Sequence, residues 1–189
     1  MPEDPQAVPA TPQAILDTWF SERARPLWFR STGAFDRELA ERFGTTVEAA
    51  LAGRLQHWAD TPAGALALVI VLDQLPLNIY RGRARAFAGE AKAREIAARA
   101  IERGDDTGLN QEQKVFLYLP FMHSENLADQ DRAVALFETA GLKENLRYAR
   151  HHRDIVRRFG RFPHRNAILG RESTPQELKY LNSPEAFTG

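Results

Sequence analysis

Thr61-Pro62-Ala63-Gly64-Ala65-Leu66-Ala67-Leu68-Val69-Ile70-Val71-Leu72-Asp73-Gln74 is the stretch on which the fold class turns. Its centre, Val69-Ile70-Val71, has the β-branched composition of a buried strand, and a short apolar run does not disclose its own period. Its start is more informative. Threonine at the N-cap and proline at the first helical position open helices, because the hydroxyl takes an orphan amide and proline has no amide to leave unpaired. With no partner strand visible elsewhere, the run reads as a helix and the protein as all-α.

Working outward, Thr11-Pro12 repeats the opening signal before Ile15, Leu16, Trp19 and Phe20, which recur at helical spacing. Phe35, Leu39 and Phe43 stop at Gly44, and Thr45 with Glu48 has capping-box spacing for a next helix carrying Leu51, Leu55 and Trp58. Downstream, Ala86 to Arg103 predicts a long amphipathic helix ending at Gly104. Asn110 and Gln113 form a capping pair before Val115, Phe116, Leu117 and Leu119, a run that Pro120 interrupts. Leu127 to Thr139 with Gly141, and Lys143 to Phe159 with Gly160, give two more helices, and Thr174-Pro175-Gln176-Glu177 opens a short last one. About eight or nine helices on short connections pack as antiparallel pairs. No tetratricopeptide signature at a fixed period is visible.

A chain of 189 residues buries roughly 70 % of its unfolded surface and needs no staple. One domain over 11–189 is expected, after a disordered lead over 1–10 in which Pro2, Pro5 and Pro9 stand with Glu3 and Asp4. The absence of cysteine excludes thiol catalysis, cysteine-bound zinc, iron–sulfur clusters and disulfides. Lys plus Arg equals Asp plus Glu at 25 each, which removes the global field that favours nucleic acid or anionic membranes. The near-apolar run Ala63 to Leu72 is shorter than the about 20 residues that span a bilayer. A soluble cytoplasmic protein without nucleic-acid or membrane partners is the expectation.

Three polar clusters carry the candidate chemistry. Pro76 cannot bond the Leu72 carbonyl, so the helix breaks or kinks just after Asp73-Gln74 and frees carbonyls beside polar side chains. In a resumed register Gln74, Asn78 and Arg81 share a face and form a site wall; alternatively, Asp73 caps or pairs and the amides satisfy the broken backbone. His123 and Glu125 are two apart, so either the chain after Pro120 is irregular or only one of them faces a site. His152 lies on an apolar stripe with Tyr148, Ile155 and Phe159, whereas His151 shares a wet face with Arg147, Asp154 and Arg158. It is either an acid–base residue partnered by Asp73 or Glu125, or a hydrogen-bonded core residue. Without a cysteine pair, a His-Glu-x-x-His helix or an aspartate-rich loop, no metal is expected.

Arg158-Phe159-Gly160-Arg161-Phe162-Pro163-His164-Arg165-Asn166 is the densest cluster. Gly160 turns the chain out of its helix and Phe162 before Pro163 is extended, so Arg161, His164 and Arg165 project differently. Forked guanidinium donors suit a carboxylate or phosphate. The alternative is a structural latch of buried phenylalanines and paired arginines.

Leu72-Asp73-Gln74-Leu75-Pro76 with Asn78 and Arg81, Phe116-Leu117-Tyr118 through Pro120 to His123-Ser124-Glu125, and His152 followed by Arg158 to Asn166 with Leu169-Gly170-Arg171-Glu172-Ser173-Thr174 resemble an uncharacterised bacterial family, domain of unknown function 924. The resemblance covers nearly all of the chain after about Thr11. It implies an all-α fold grouped with tetratricopeptide-like helical superfamilies, and no activity. Leu77 stands where members typically carry arginine, one cation fewer for an anion site.

The expectation is therefore a helical domain whose clusters converge on one polar pocket. His152, His123, Asp73 and Glu125 are its catalytic candidates, and Gln74, Asn78, Arg81, Arg161, His164, Arg165 and Asn166 its ligand-binding candidates. A small anionic metabolite or a peptide carboxylate fits these residue types. The alternatives are an acid–base enzyme such as a hydrolase at the same pocket, and a protein-interaction scaffold. No cofactor is called for.

Overall fold

The computed structural model describes residues 8–187, which are all-α, with no strand among them. The expected disordered lead falls largely on residues 1–7, outside the described residues; of the remainder, the Ala10 amide donates to the Thr46 hydroxyl at 2.8 Å. The chain divides into two compact units. One holds the residues up to Arg81 with Arg85–Pro120, the other Gly82–Ala84 with Phe121 onward.

The first unit contains α1 (Pro12–Trp19), α2 (Gly33–Leu51), α3 (Pro62–Val69), α4 (Leu75–Ile79), α5 (Glu90–Glu102) and α6 (Gln111–Met122) except its last two residues. The Thr11 and Thr61 hydroxyls accept from the Ala14 and Gly64 amides, so both Thr-Pro signals open helices as expected. The deciding stretch is α3, and its residues Gly64 to Val69 are all buried. It runs through a π-helical turn, Ile70–Gln74, into α4. The run Pro62–Ile79 is long and apolar enough to cross a membrane, yet 78 % of it is buried inside the protein, the property of a core helix. α1 and α5 pack on α3, and α2 packs on α4 and the π turn.

Several helix boundaries differ from expectation, among them the start of the helix expected from Ala86, which begins at Glu90 after a separate short turn, Ala84–Phe87. Gly44 does not stop its helix: α2 is continuous through it, because the Phe43, Val47 and Ala50 face stays buried. One interior glycine costs about 1 kcal/mol, less than burying that face returns at about 1.5–3 kcal/mol for a large side chain. Leu55 and Trp58 lie beyond α2, Trp58 within a short turn, Gln56–Asp60. Pro120 sits in the last turn of α6 without ending it, and reciprocal bonds between Asn110 and Gln113, each 3.0 Å, cap that helix as expected.

The second unit contains α7 (Leu127–Thr139), α8 (Lys143–Phe159) and α9 (Pro175–Leu181). Only Ala140, Gly141 and Leu142 connect α7 to α8, and the two pack along each other as an antiparallel pair. Gly160 ends α8 with φ 71°, a left-handed value that other residues rarely adopt. Ile155, Val156, Phe162 and Tyr180 form a core with Phe159, Leu181 and Phe187 packed against it.

Candidate functional site

The first-unit cluster is organised by the π turn. Pro76 has no amide for the Leu72 carbonyl, and the register shifts so that the Leu75 amide bonds the Ile70 carbonyl five residues back. The expected kink is thus a widened turn. Gly89 lies against it so closely that a Cβ there would stand 2.1 Å from the Leu72 carbonyl oxygen. Asp73 is fully buried, and Gln74 Nε2 donates to its Oδ2 at 2.6 Å.

Asn78 and Arg81 share a face as expected, and both turn to Asp36, a residue the sequence reading passed over. Asn78 Nδ2 donates to Asp36 Oδ1 at 2.8 Å, Arg81 Nε to Oδ2 at 2.8 Å, and the Ser31 hydroxyl to Oδ1 at 2.6 Å. Burial opposes the charge on Asp36, but Arg81, Ser31 and Asn78 together hold its carboxyl below the usual carboxylate range. Gln74, in contrast, bonds within its own turn. These four candidates form two bonded pairs inside the first unit, Asp73 with Gln74 and Asn78 with Arg81 through Asp36.

In the second unit α6 ends at Met122, and His123 to Asn126 is irregular. Glu125 accepts from the Phe162 amide at 2.7 Å and from both ends of the Arg171 guanidinium at 2.7 and 2.8 Å. Burial opposes its charge, but Arg171, the Phe162 amide and Arg165 hold the Glu125 carboxyl low. Arg171 Nε also donates to Asn166 Oδ1 at 3.0 Å, and Asn166 Nδ2 to the Ser173 hydroxyl at 3.0 Å. Arg161 forks onto Glu177 at 2.7 and 2.9 Å and reaches the Glu172 carbonyl at 2.8 Å. Glu177 meanwhile caps α9 through the Thr174 amide at 2.7 Å. Glu125, Arg161, Asn166, Arg171 and Glu177 thus act as the latch.

What the latch leaves over is an imidazole and ring cluster. His152 is 5 % exposed, and its Nδ1 donates to the Tyr148 carbonyl at 2.8 Å; a carbonyl only accepts, so the lone pair is on Nε2. Tyr148 is itself 46 % exposed and does not continue the apolar stripe. Its carbonyl, rather than its ring, orients His152. Burial pushes the His152 imidazole down to about 3; the Tyr148 carbonyl opposes this, and His123, His151 and His164 add to it. Burial, Arg165 and Arg171 lower His164 to about 4 against the pull of Glu125.

The rings of this cluster are in contact. His152 meets Phe162 at 5.5 Å between centroids and Phe187 at 4.4 Å, and His164 meets Phe162 at 5.6 Å and Phe187 at 5.0 Å. Arg165, 7 % exposed, stands 4.8 Å over the Phe162 ring. His164 Nδ1 is buried and makes no hydrogen bond. Phe187 was missed because a lone phenylalanine near a chain end carries no motif. Among the described residues no group of three or more His, Asp and Glu is disposed to hold a metal ion.

The candidates thus fall into two groups, Asp73, Gln74, Asn78 and Arg81 in the first unit and the remainder in the second. Two shallow clefts of about 310 and 460 Å³ in the first unit, the former beside His57, Arg99 and Arg103 and the latter over Leu16 and Leu66, are lined by none of them.

A solved structure described as a protein of unknown function, ATU0120, from Agrobacterium tumefaciens is similar to this chain: 43 % of residues are identical, over 90 % of this chain and 96 % of that one, with a TM-score of 0.86. No curated protein matches. Residues 15–185 match the family described as bacterial protein of unknown function (DUF924). That span contains both networks and all but one ring of the imidazole cluster, and the chain belongs to this family.

Proposed function

We propose that the protein is a ligand-binding helical domain whose second unit recognises a small anionic metabolite or a peptide carboxylate at His152, His164 and Arg165. The observation that carries this reading is the buried His164 Nδ1 without a hydrogen bond. A buried polar atom left unpaired costs about 1–3 kcal/mol, and such an atom calls for an explanation. A ligand that supplies the missing bond is one. Its neighbour Arg165, a guanidinium held over Phe162, suits an anion, whereas neutral His152, with its lone pair on Nε2, offers only an acceptor to a donor on the same ligand.

Arg81 and Arg161 are engaged by Asp36 and Glu177. The acid–base alternative lacks its orienting group at His152, whose Nδ1 bonds a carbonyl instead of a carboxylate. The tetratricopeptide-like grouping belongs to the same proposal and rests on the antiparallel α7–α8 pair.

Titration of the protein with succinate, followed by the imidazole proton signals of His152 and His164, tests it. Saturable shifts at both are expected, with affinity reduced about tenfold or more in Arg165→Lys, which keeps the charge and loses the fork. No saturable shift in the wild type would reject the proposal.

A further inference from the structure

The ring that closes the imidazole cluster comes from the far end of the chain. Phe187 is half-buried, lies against His152 and His164 at 4.4 and 5.0 Å, and also reaches His151 at 6.3 Å. All three contacts are edge-on, with interplanar angles of 62°, 82° and 72°, the arrangement that sets the positive rim of one ring on the negative face of another. In the segment carrying it, the Phe187 amide donates to the Tyr180 hydroxyl at 2.9 Å, and Ser183 and Ala186 form turns after α9.

Phe187 fills the place incompletely. A phenyl ring packs against imidazoles but neither donates nor accepts a hydrogen bond, so His164 Nδ1 remains unpaired beside it. A molecule with an aryl ring in the position of the Phe187 ring and a carboxylate on a short arm would match the rings and also accept a hydrogen bond from His164 in its Nδ1–H tautomer, with the Arg165 guanidinium close by over Phe162. We propose that the second-unit site takes aryl carboxylates and that Phe187 is its intramolecular occupant, which such a ligand displaces. This rests on the ligand-binding reading above and adds to it both a substrate class and a competing element within the chain. Self-occupancy lowers apparent affinity by the fraction of time the site is free. Removing the occupant raises affinity by the same factor.

The test compares 3-phenylpropanoate with succinate on wild type and Phe187→Ala, each followed at the His152 and His164 imidazole signals. 3-Phenylpropanoate is expected to bind Phe187→Ala about tenfold or more tightly than wild type, while succinate, which has no ring to place, changes little. An acetylated Ala-Phe-Thr-Gly peptide is the second arm. Tighter binding of the peptide than of 3-phenylpropanoate assigns the class to peptide ends, and the reverse assigns it to free aryl acids; both support displacement. Equal affinity of 3-phenylpropanoate for the two proteins, with succinate still bound, overturns the inference and leaves the ligand-binding reading standing. Loss of all binding in both overturns the two together. Should Phe187→Ala fail to fold, the wild type with ring-labelled phenylalanine replaces it: saturation must move the Phe187 ring signals to those of a solvent-exposed ring, and unmoved signals in the bound protein overturn displacement.

Discussion

Gly89 and Gly44 show how one residue type carries opposite consequences at two positions. At Gly89 a methyl group would stand 2.1 Å from the Leu72 oxygen, and backbone atoms on both sides leave nothing flexible to move. Gly89→Ala is expected to destabilise the protein by about 1–3 kcal/mol or more through overpacking, read as a lowered denaturation midpoint. At Gly44, inside α2, a Cβ meets nothing within 4 Å and φ is not positive. Gly44→Ala is expected to stabilise by about 0.5–1 kcal/mol, since it reduces the freedom of the unfolded chain at no steric cost. A gain in stability at Gly89, or a loss at Gly44, would contradict the packing described for α2 and the π turn.

At the scale of elements, α9 depends on one residue with two duties. Glu177 completes the capping box with Thr174 and also receives the Arg161 fork. Thr174→Ala should cost about 1 kcal/mol, the usual value of a cap. Glu177→Ala should cost more, because it removes the reciprocal half of the capping box, the bond from the Thr174 amide, and also leaves the Arg161 guanidinium without its carboxylate. Equal losses in chemical denaturation would mean that the ion pair contributes nothing. What the sequence disclosed follows from the same distinction. The caps at Thr11, Thr61, Asn110 and Thr174 were legible because a cap is settled within four residues. The disturbance of the helix after Asp73-Gln74 was legible because Pro76 acts on its own preceding turn, although its form, a π turn and not a kink, was not. The partners of the candidate arginines were not. Asp36 lies 45 positions from Arg81 and Glu177 lies 16 from Arg161, and no local pattern announces a carboxylate that folding brings from that far. The same holds for Phe187 and His152. Residue types predicted which groups would be polar and clustered, and distance along the chain concealed which of them neutralise one another.

Across the whole molecule, acid stability divides along the two units. His152 and His164 have imidazoles that folding lowers from 6.5 to about 3 and about 4, and both lie in the second unit. A group with a lowered pKa in the fold binds its proton more readily in the unfolded chain, so the stability it confers is full above about pH 6.5. That stability falls as pH drops below 6.5 and is lost by the folded value. Each histidine contributes up to about 1.4 kcal/mol per pH unit over that window. The lowered carboxyls, Asp36 and Glu38 in the first unit and Glu125 and Glu177 in the second, act only below their ordinary values near 4. Between pH 6.5 and 4.5 the loss is therefore expected in the second unit. Amide hydrogen exchange at pH 7 and pH 5, corrected for the intrinsic rate, should show protection falling in α8 while α3 keeps its own. His152→Phe keeps a ring against Phe162 and Phe187 and removes one titrating group, so it should halve the pH slope in α8. An unchanged slope in that variant, or equal losses in α3 and α8, would mean that the two imidazoles are not what acid acts on.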